Sequence, residues 1–139
     1  HMAVTKIEEL KKLSKGIEVE LPGWDETPFI CKLKRPSLLN LAGNGQIPNE
    51  LLNAAYIVFN GSSDKRDVVS LKERNELFTI VAKAAMVEPT FEELQEIGLE
   101  LTDLQLMQIF NFTQVGLNGL ISFRTKQSNI KNTENKRKV

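Results

Sequence analysis

The chain has 139 residues, 18 basic and 18 acidic side chains, and a formal net charge of zero. That length suits one domain, able to bury roughly two-thirds of its unfolded surface. With 41% hydrophobic and 26% charged residues, the composition is that of a folded polypeptide. The single cysteine excludes an intrachain disulfide framework, and with the single histidine it leaves too few ligands for a zinc site of the His/Cys type. No apolar run approaches the roughly 18 residues of a membrane-spanning helix, and no signal-peptide pattern is visible. His1-Met2 reads as an expression-tag remnant; without it, no histidine remains to activate a serine, threonine or cysteine nucleophile.

Residues 5–15 predict a short helix, with Thr5 and Glu8 at capping-box spacing and Ile7, Leu10 and Leu13 as its apolar face. Gly16 can end it. Ile17, Val19 and Leu21 then alternate with Glu18 and Glu20, the period of a half-buried strand. Phe29, Cys31 and Leu33 alternate with Ile30, Lys32 and Lys34 and predict a second strand, with Glu18 and Glu20 set against Lys32 and Lys34. The connection from Pro22 to Pro28 is too long for a two-residue hairpin.

Pro36 suits the first turn of a helix through Leu38, Leu39 and Leu41, which Gly43-Asn44-Gly45 would end. Pro48 opens another, with Leu51, Leu52, Ala55, Tyr56 and Phe59 expected inward. Residues 60–70 read as a surface loop. Leu71 to Val87 predicts the clearest helix, with Leu77, Phe78, Val81, Ala84 and Ala85 as its packing stripe and Pro89 beyond it. Thr90 and Glu93 mark a short helix over 91–96, and Gly98 interrupts. Thr102 caps a last helix whose Leu104, Leu106, Met107, Ile109, Phe110 and Phe112 are apolar nearly all round. Such a helix is deeply buried or shares its cover with another chain. Gly116 and Gly119 permit a kink before Leu120, Ile121 and Phe123. The fold class expected is mostly α (α+β): a compact helical domain with a small N-terminal antiparallel strand pair.

The zero net charge is unevenly distributed. Residues 88–103 hold Glu88, Glu92, Glu93, Glu96, Glu100 and Asp103 and no cation, whereas residues 124–139 carry a net +5. The domain division expected is 1–2 tag remnant, 3–124 a single mainly helical domain, and 125–139 a basic, disordered tail. The tail reads as a solvated terminus, with an arm for an acidic partner as the alternative.

No motif carries catalytic chemistry. Gly43-Asn44-Gly45 lacks the rest of a phosphate loop, and Asp64 and Asp67 lack a calcium-loop pattern. The carboxylates of 88–103 read as a solvated face, and Cys31 as a small core hydrophobe. Lys32, Lys34 and Arg35 form a local basic patch without interleaved aromatics. Trp24, in the Leu21–Glu26 loop, reads either as a lid on the small sheet or as an exposed anchor for a protein partner.

The segment Phe29-Ile-Cys-Lys-Leu-Lys-Arg-Pro-Ser-Leu-Leu-Asn-Leu41, followed by Ile47-Pro-Asn49 and Leu51-Leu-Asn-Ala54, resembles tail assembly chaperones of long-tailed bacteriophages and Gram-positive prophages. Leu101-Thr-Asp-Leu-Gln105, Phe110-Asn-Phe-Thr-Gln114 and Gly119-Leu-Ile-Ser-Phe-Arg124 are similar to the C-terminal part of the same group. The likeness covers roughly residues 16–124 and consists of recurring phrases rather than catalytic signatures.

The resemblance implies a non-enzymatic, mainly helical protein without cofactors. It would act in the cytoplasm of the bacterial host, bind the tape measure protein and help recruit tail-tube subunits. It would be absent from the finished virion. Many such proteins also exist as a longer frameshifted product and can self-associate. Membrane and nucleic-acid partners are not expected. Pro36, Pro48 and Asn49 would be structural. Trp24, Leu106, Phe110 and Phe112 are the protein-interaction candidates, the last three as core or client contacts. The competing reading is a small nucleic-acid-binding or regulatory protein using Lys32, Lys34, Arg35 and the basic tail.

Overall fold

A computed structural model of the chain describes residues 2–61 and 68–114. Its elements run α1 (Ile7–Ser14), β1 (Ile17–Leu21), β2 (Phe29–Leu33), α2 (Leu38–Gly43), a single 3-10 turn (Asn49–Leu51), α3 (Leu52–Asn60), α4 (Leu71–Ala85), β3 (Met86–Glu88), α5 (Phe91–Glu96) and α6 (Asp103–Thr113). The fold is mostly helical with a small antiparallel sheet. Asp64, Asp67, the Gly116–Phe123 segment and the basic tail lie outside the described residues.

The sheet has the order β1-β2-β3, both pairs antiparallel. Glu18 lies opposite Lys32 as its alternation predicts, but Glu20 lies opposite Ile30 rather than Lys34. Lys32 instead pairs with Glu88 of β3, at 3.5 Å between exposed side chains, an ion pair worth about 0–1 kcal/mol. Two glycines serve backbone geometry. Gly16 takes φ +95° where α1 passes into β1, and a Cβ there would press on Lys32 and Val87. At Gly23 a Cβ would overlap the Thr27 carbonyl oxygen, so the β1–β2 connection can close only on glycine.

The third strand departs from the expected helix over 71–87. α4 stops at Ala85 because β2 captures the residues after it: Leu33 pairs with Met86, Lys32 with Glu88, and the Lys34 amide donates to the Ala85 carbonyl at 2.8 Å. Pro89 also disfavours helical backbone at Glu88. A bulge between Lys32 and Leu33 accommodates the extra residue.

Side-chain caps explain most helix starts. Ser70 with Glu73, Thr90 with Glu93 and Thr102 with Gln105 each form a reciprocal capping box. The Ser37 hydroxyl accepts from the Asn40 amide, so Pro36 precedes the cap of α2 rather than sitting in its first turn. The expected Thr5 cap does not form: α1 starts after Lys6 with no side-chain cap.

Two clusters make up the core. One joins the inner sheet face to α4, α5 and α6 through Cys31, Leu33, Ala82, Ala85, Leu94 and Ile109. The other gathers Leu41, Ile47, Leu51, Ala54, Ala55 and Leu77. Phe110 lies between them, its ring stacked on Phe78 at 4.5 Å and facing Phe59 at 6.0 Å. Leu51 of the 3-10 turn and Ala55 of α3 are buried and Phe59 is half-buried, but Leu52 and Tyr56 face outward against expectation. The 3-10 turn through Leu51 shifts the angular phase of the helix after it, because it turns in three residues rather than 3.6.

Candidate protein-interaction surface

α6 is not uniformly buried. Gln105, Leu106, Ile109, Phe110 and Thr113 point into the protein, whereas Leu104 and Met107 stand half-exposed on its outer side. These two are i and i+3 neighbours and form a short apolar stripe. The β1–β2 connection is fastened to α6 and to the segment before it by two long-range hydrogen bonds. Gln105 Nε2 donates to the Pro22 carbonyl at 2.8 Å, and Trp24 Nε1 donates to the Glu100 carbonyl at 2.7 Å. The Trp24 ring also packs on Phe29, with centroids 4.8 Å apart, while retaining partial exposure. Trp24 therefore combines the lid role with an accessible edge.

A groove of about 480 Å³ opens on the adjoining side. Phe91, Leu94, Leu99, Leu101 and Leu106 supply its apolar lining, Asn75 and Thr79 of α4 one wall, and Gln95 and Glu100 polar positions. Among the described residues, its only titratable lining group is Glu100.

The other residues singled out from sequence separate in space. Leu106 and Phe110 are buried among this chain's own side chains and offer little surface to a client. Phe112 is half-buried under Arg35, whose guanidinium carbon lies 3.9 Å from the ring centroid and whose Nε donates to the Phe112 carbonyl at 2.9 Å. That contact places a cation at the C-terminal end of α6, where the helix dipole favours it. Of the three basic residues, Lys32 is thus engaged by Glu88 and Arg35 by Phe112, while Lys34 is exposed.

Cys31 is buried, and desolvation pushes its thiol up to about 11. Glu93 is held below the usual carboxylate range, first by the hydrogen bond from the Thr90 backbone and then by the Thr90 side chain. Among the described residues, no group of three or more His, Cys, Asp or Glu side chains is arranged to hold a metal ion. No helix among them is long and apolar enough to cross a membrane.

Sequence reasoning missed Leu104 and Met107 as surface residues. Their helix has apolar residues on every side, so periodicity alone could not separate inner from outer faces. Comparison with family models, curated proteins and solved structures finds no match to this chain.

Proposed function

We propose that this chain is a non-enzymatic tail assembly chaperone that binds the tape measure protein and helps recruit tail-tube subunits. The observation that carries this reading is the apolar stripe of Leu104 and Met107, left half-exposed on a helix whose other face is firmly packed. Trp24, fixed by Glu100 and Phe29, supplies an aromatic edge. A rigid apolar stripe with a polar surround is what a helical client needs from a chaperone. The resemblance over residues 16–124 provides the identity of that client.

The test is co-expression of the full chain with a phage tape measure protein, followed by affinity capture. The expected result is a soluble complex that is lost with Leu104→Asp/Met107→Asp, while circular dichroism of the variant stays that of the parent. A tape measure protein that is soluble alone and is not captured would overturn the proposal.

A further inference from the structure

The groove beside α4 and α5 has an occupant within this chain's own sequence. Phe91, Leu99 and Leu101 are half-buried and leave apolar surface at its open side, while Leu94 and Leu106 are buried among them. Gln95 and Glu100 stand exposed beside that surface. Residues 88–103, which supply α5 and the connection to α6, carry six carboxylates and no cation. An occupant matched to this site combines apolar side chains with adjacent positive charge.

We propose that residues 117–126 of the same chain occupy the groove. This stretch lies outside the described residues. It places Leu117, Leu120, Ile121 and Phe123 just before Arg124 and Lys126, and no acidic residue lies between Asp103 and Glu134. The apolar block meets Phe91 and the groove leucines, and the two cations meet Glu100 and the exposed Glu92 and Glu96 of α5.

Chain length makes the contact intramolecular. Leu106 lines the groove, and from there α6 runs about 12 Å to its cap at Gln114, at 1.5 Å per residue. Residues 115–120 can span up to about 20 Å, more than the return requires. A segment tethered this closely meets its site at an effective concentration of about millimolar. A contact too weak to hold a separate chain can therefore form within one. Leu104 and Met107 are not among the groove's lining residues, so the inference does not rest on the client-binding reading.

The test uses the full chain carrying Gln95→Cys, an exposed groove position, and follows its reaction with a neutral maleimide. Cys31 is buried and gives a slow background. Rates are taken relative to Lys11→Cys, an exposed position on α1 outside the groove. The engineered groove thiol should react about tenfold more slowly than when Leu120→Asp/Ile121→Asp is added. Salt should speed the reaction by screening the charges, and dilution should leave it unchanged because segment and groove share one chain. Arg124→Glu/Lys126→Glu should also expose the thiol, and Glu96→Lys/Glu100→Lys added to that variant should restore protection by exchanging the charges. Equal rates with and without Leu120→Asp/Ile121→Asp, protection that vanishes on dilution, or a charge exchange that restores nothing would each overturn the inference. No tape measure protein is present, so these results are independent of the client-binding experiment.

Discussion

The side-chain amide of Gln105, fully buried, donates to the carbonyl of Pro22, 83 residues earlier in the chain. Its oxygen accepts from the Thr102 amide at 2.9 Å, so one side chain caps α6 and ties down the β1–β2 connection. The two partners fix the amide orientation, since a flipped group would set oxygen against carbonyl and N–H against N–H. Gln105→Leu keeps similar bulk but strands both groups. The expected loss is about 1–3 kcal/mol, read as a lower urea midpoint with an unchanged slope. An unchanged midpoint would show that the Pro22 bond contributes nothing.

Trp24 is the only tryptophan in the chain, so its fluorescence reports directly on the loop it anchors. Trp24→Phe removes the bond to the Glu100 carbonyl but keeps an aromatic ring against Phe29. About 0.5–1.5 kcal/mol should be lost, with Trp24→Ala costing more because the ring contact goes too. In the parent, fluorescence and far-ultraviolet circular dichroism should report one common unfolding transition. An earlier fluorescence transition would mean the loop detaches before the core melts.

How far these features are legible in sequence depends on whether the deciding contact is local. The starts of α5 and α6 can be read from Thr90 and Thr102 because each cap closes within four residues. β1 and β2 can be read from their strict alternation. β3 cannot: Met86 and Val87 prolong the apolar pattern of α4, and only pairing with Leu33 and Lys32 makes them extended. Arg35 reads as a free cation until Phe112, 77 residues away, is brought over it. Trp24 stands out in sequence by its rarity and its loop. Its combination of anchoring and exposure depends on Glu100 and Phe29 and is visible only in the fold.

The Thr90 box gives α5 an acid-sensitive start. Glu93 has a lowered pKa in the folded chain because Thr90 hydrogen-bonds its ionised form. The folded state therefore binds the proton less readily than the unfolded state. This contribution is present above the unfolded glutamate pKa and is lost as pH falls through the folded one. Glu93→Gln should flatten that part of the stability-versus-pH curve. Thr90→Ala removes the cap and should cost about 1 kcal/mol at neutral pH. Parallel urea titrations at neutral and acid pH would check both; equal acid sensitivity in the parent and Glu93→Gln would refute the linkage.

Arg35 closes the C-terminal end of α6 with a hydrogen bond and a ring contact. Arg35→Lys keeps the charge but loses the planar contact and the Nε donor, so it is not conservative here. Destabilisation of about 1 kcal/mol is expected, with hydrogen exchange accelerated in the last turn of α6. The same variant bears on the basic-patch alternative. Binding to nucleic acid would survive Arg35→Lys if charge alone carried it, and its affinity should fall steeply with salt. No measurable binding in low salt is the expected result.

Cys31 predicts the behaviour of the core at high pH. Its thiol is enclosed by the cluster containing Leu21, Leu33 and Met86, where burial disfavours the thiolate. Thiol reagents should therefore react slowly with the native chain and rapidly in urea. The folded pKa is raised, so the stabilising contribution is intact below the unfolded thiol value and lost as pH rises toward about 11. A shift from 9.0 to about 11 corresponds to about 2–3 kcal/mol across that window. Cys31→Ala should be less stable at neutral pH because it leaves a small cavity. It should nevertheless lose less further stability between pH 9 and 11 than the parent, and that difference in slope isolates the contribution of the thiol. Identical slopes would place the Cys31 thiol in contact with solvent.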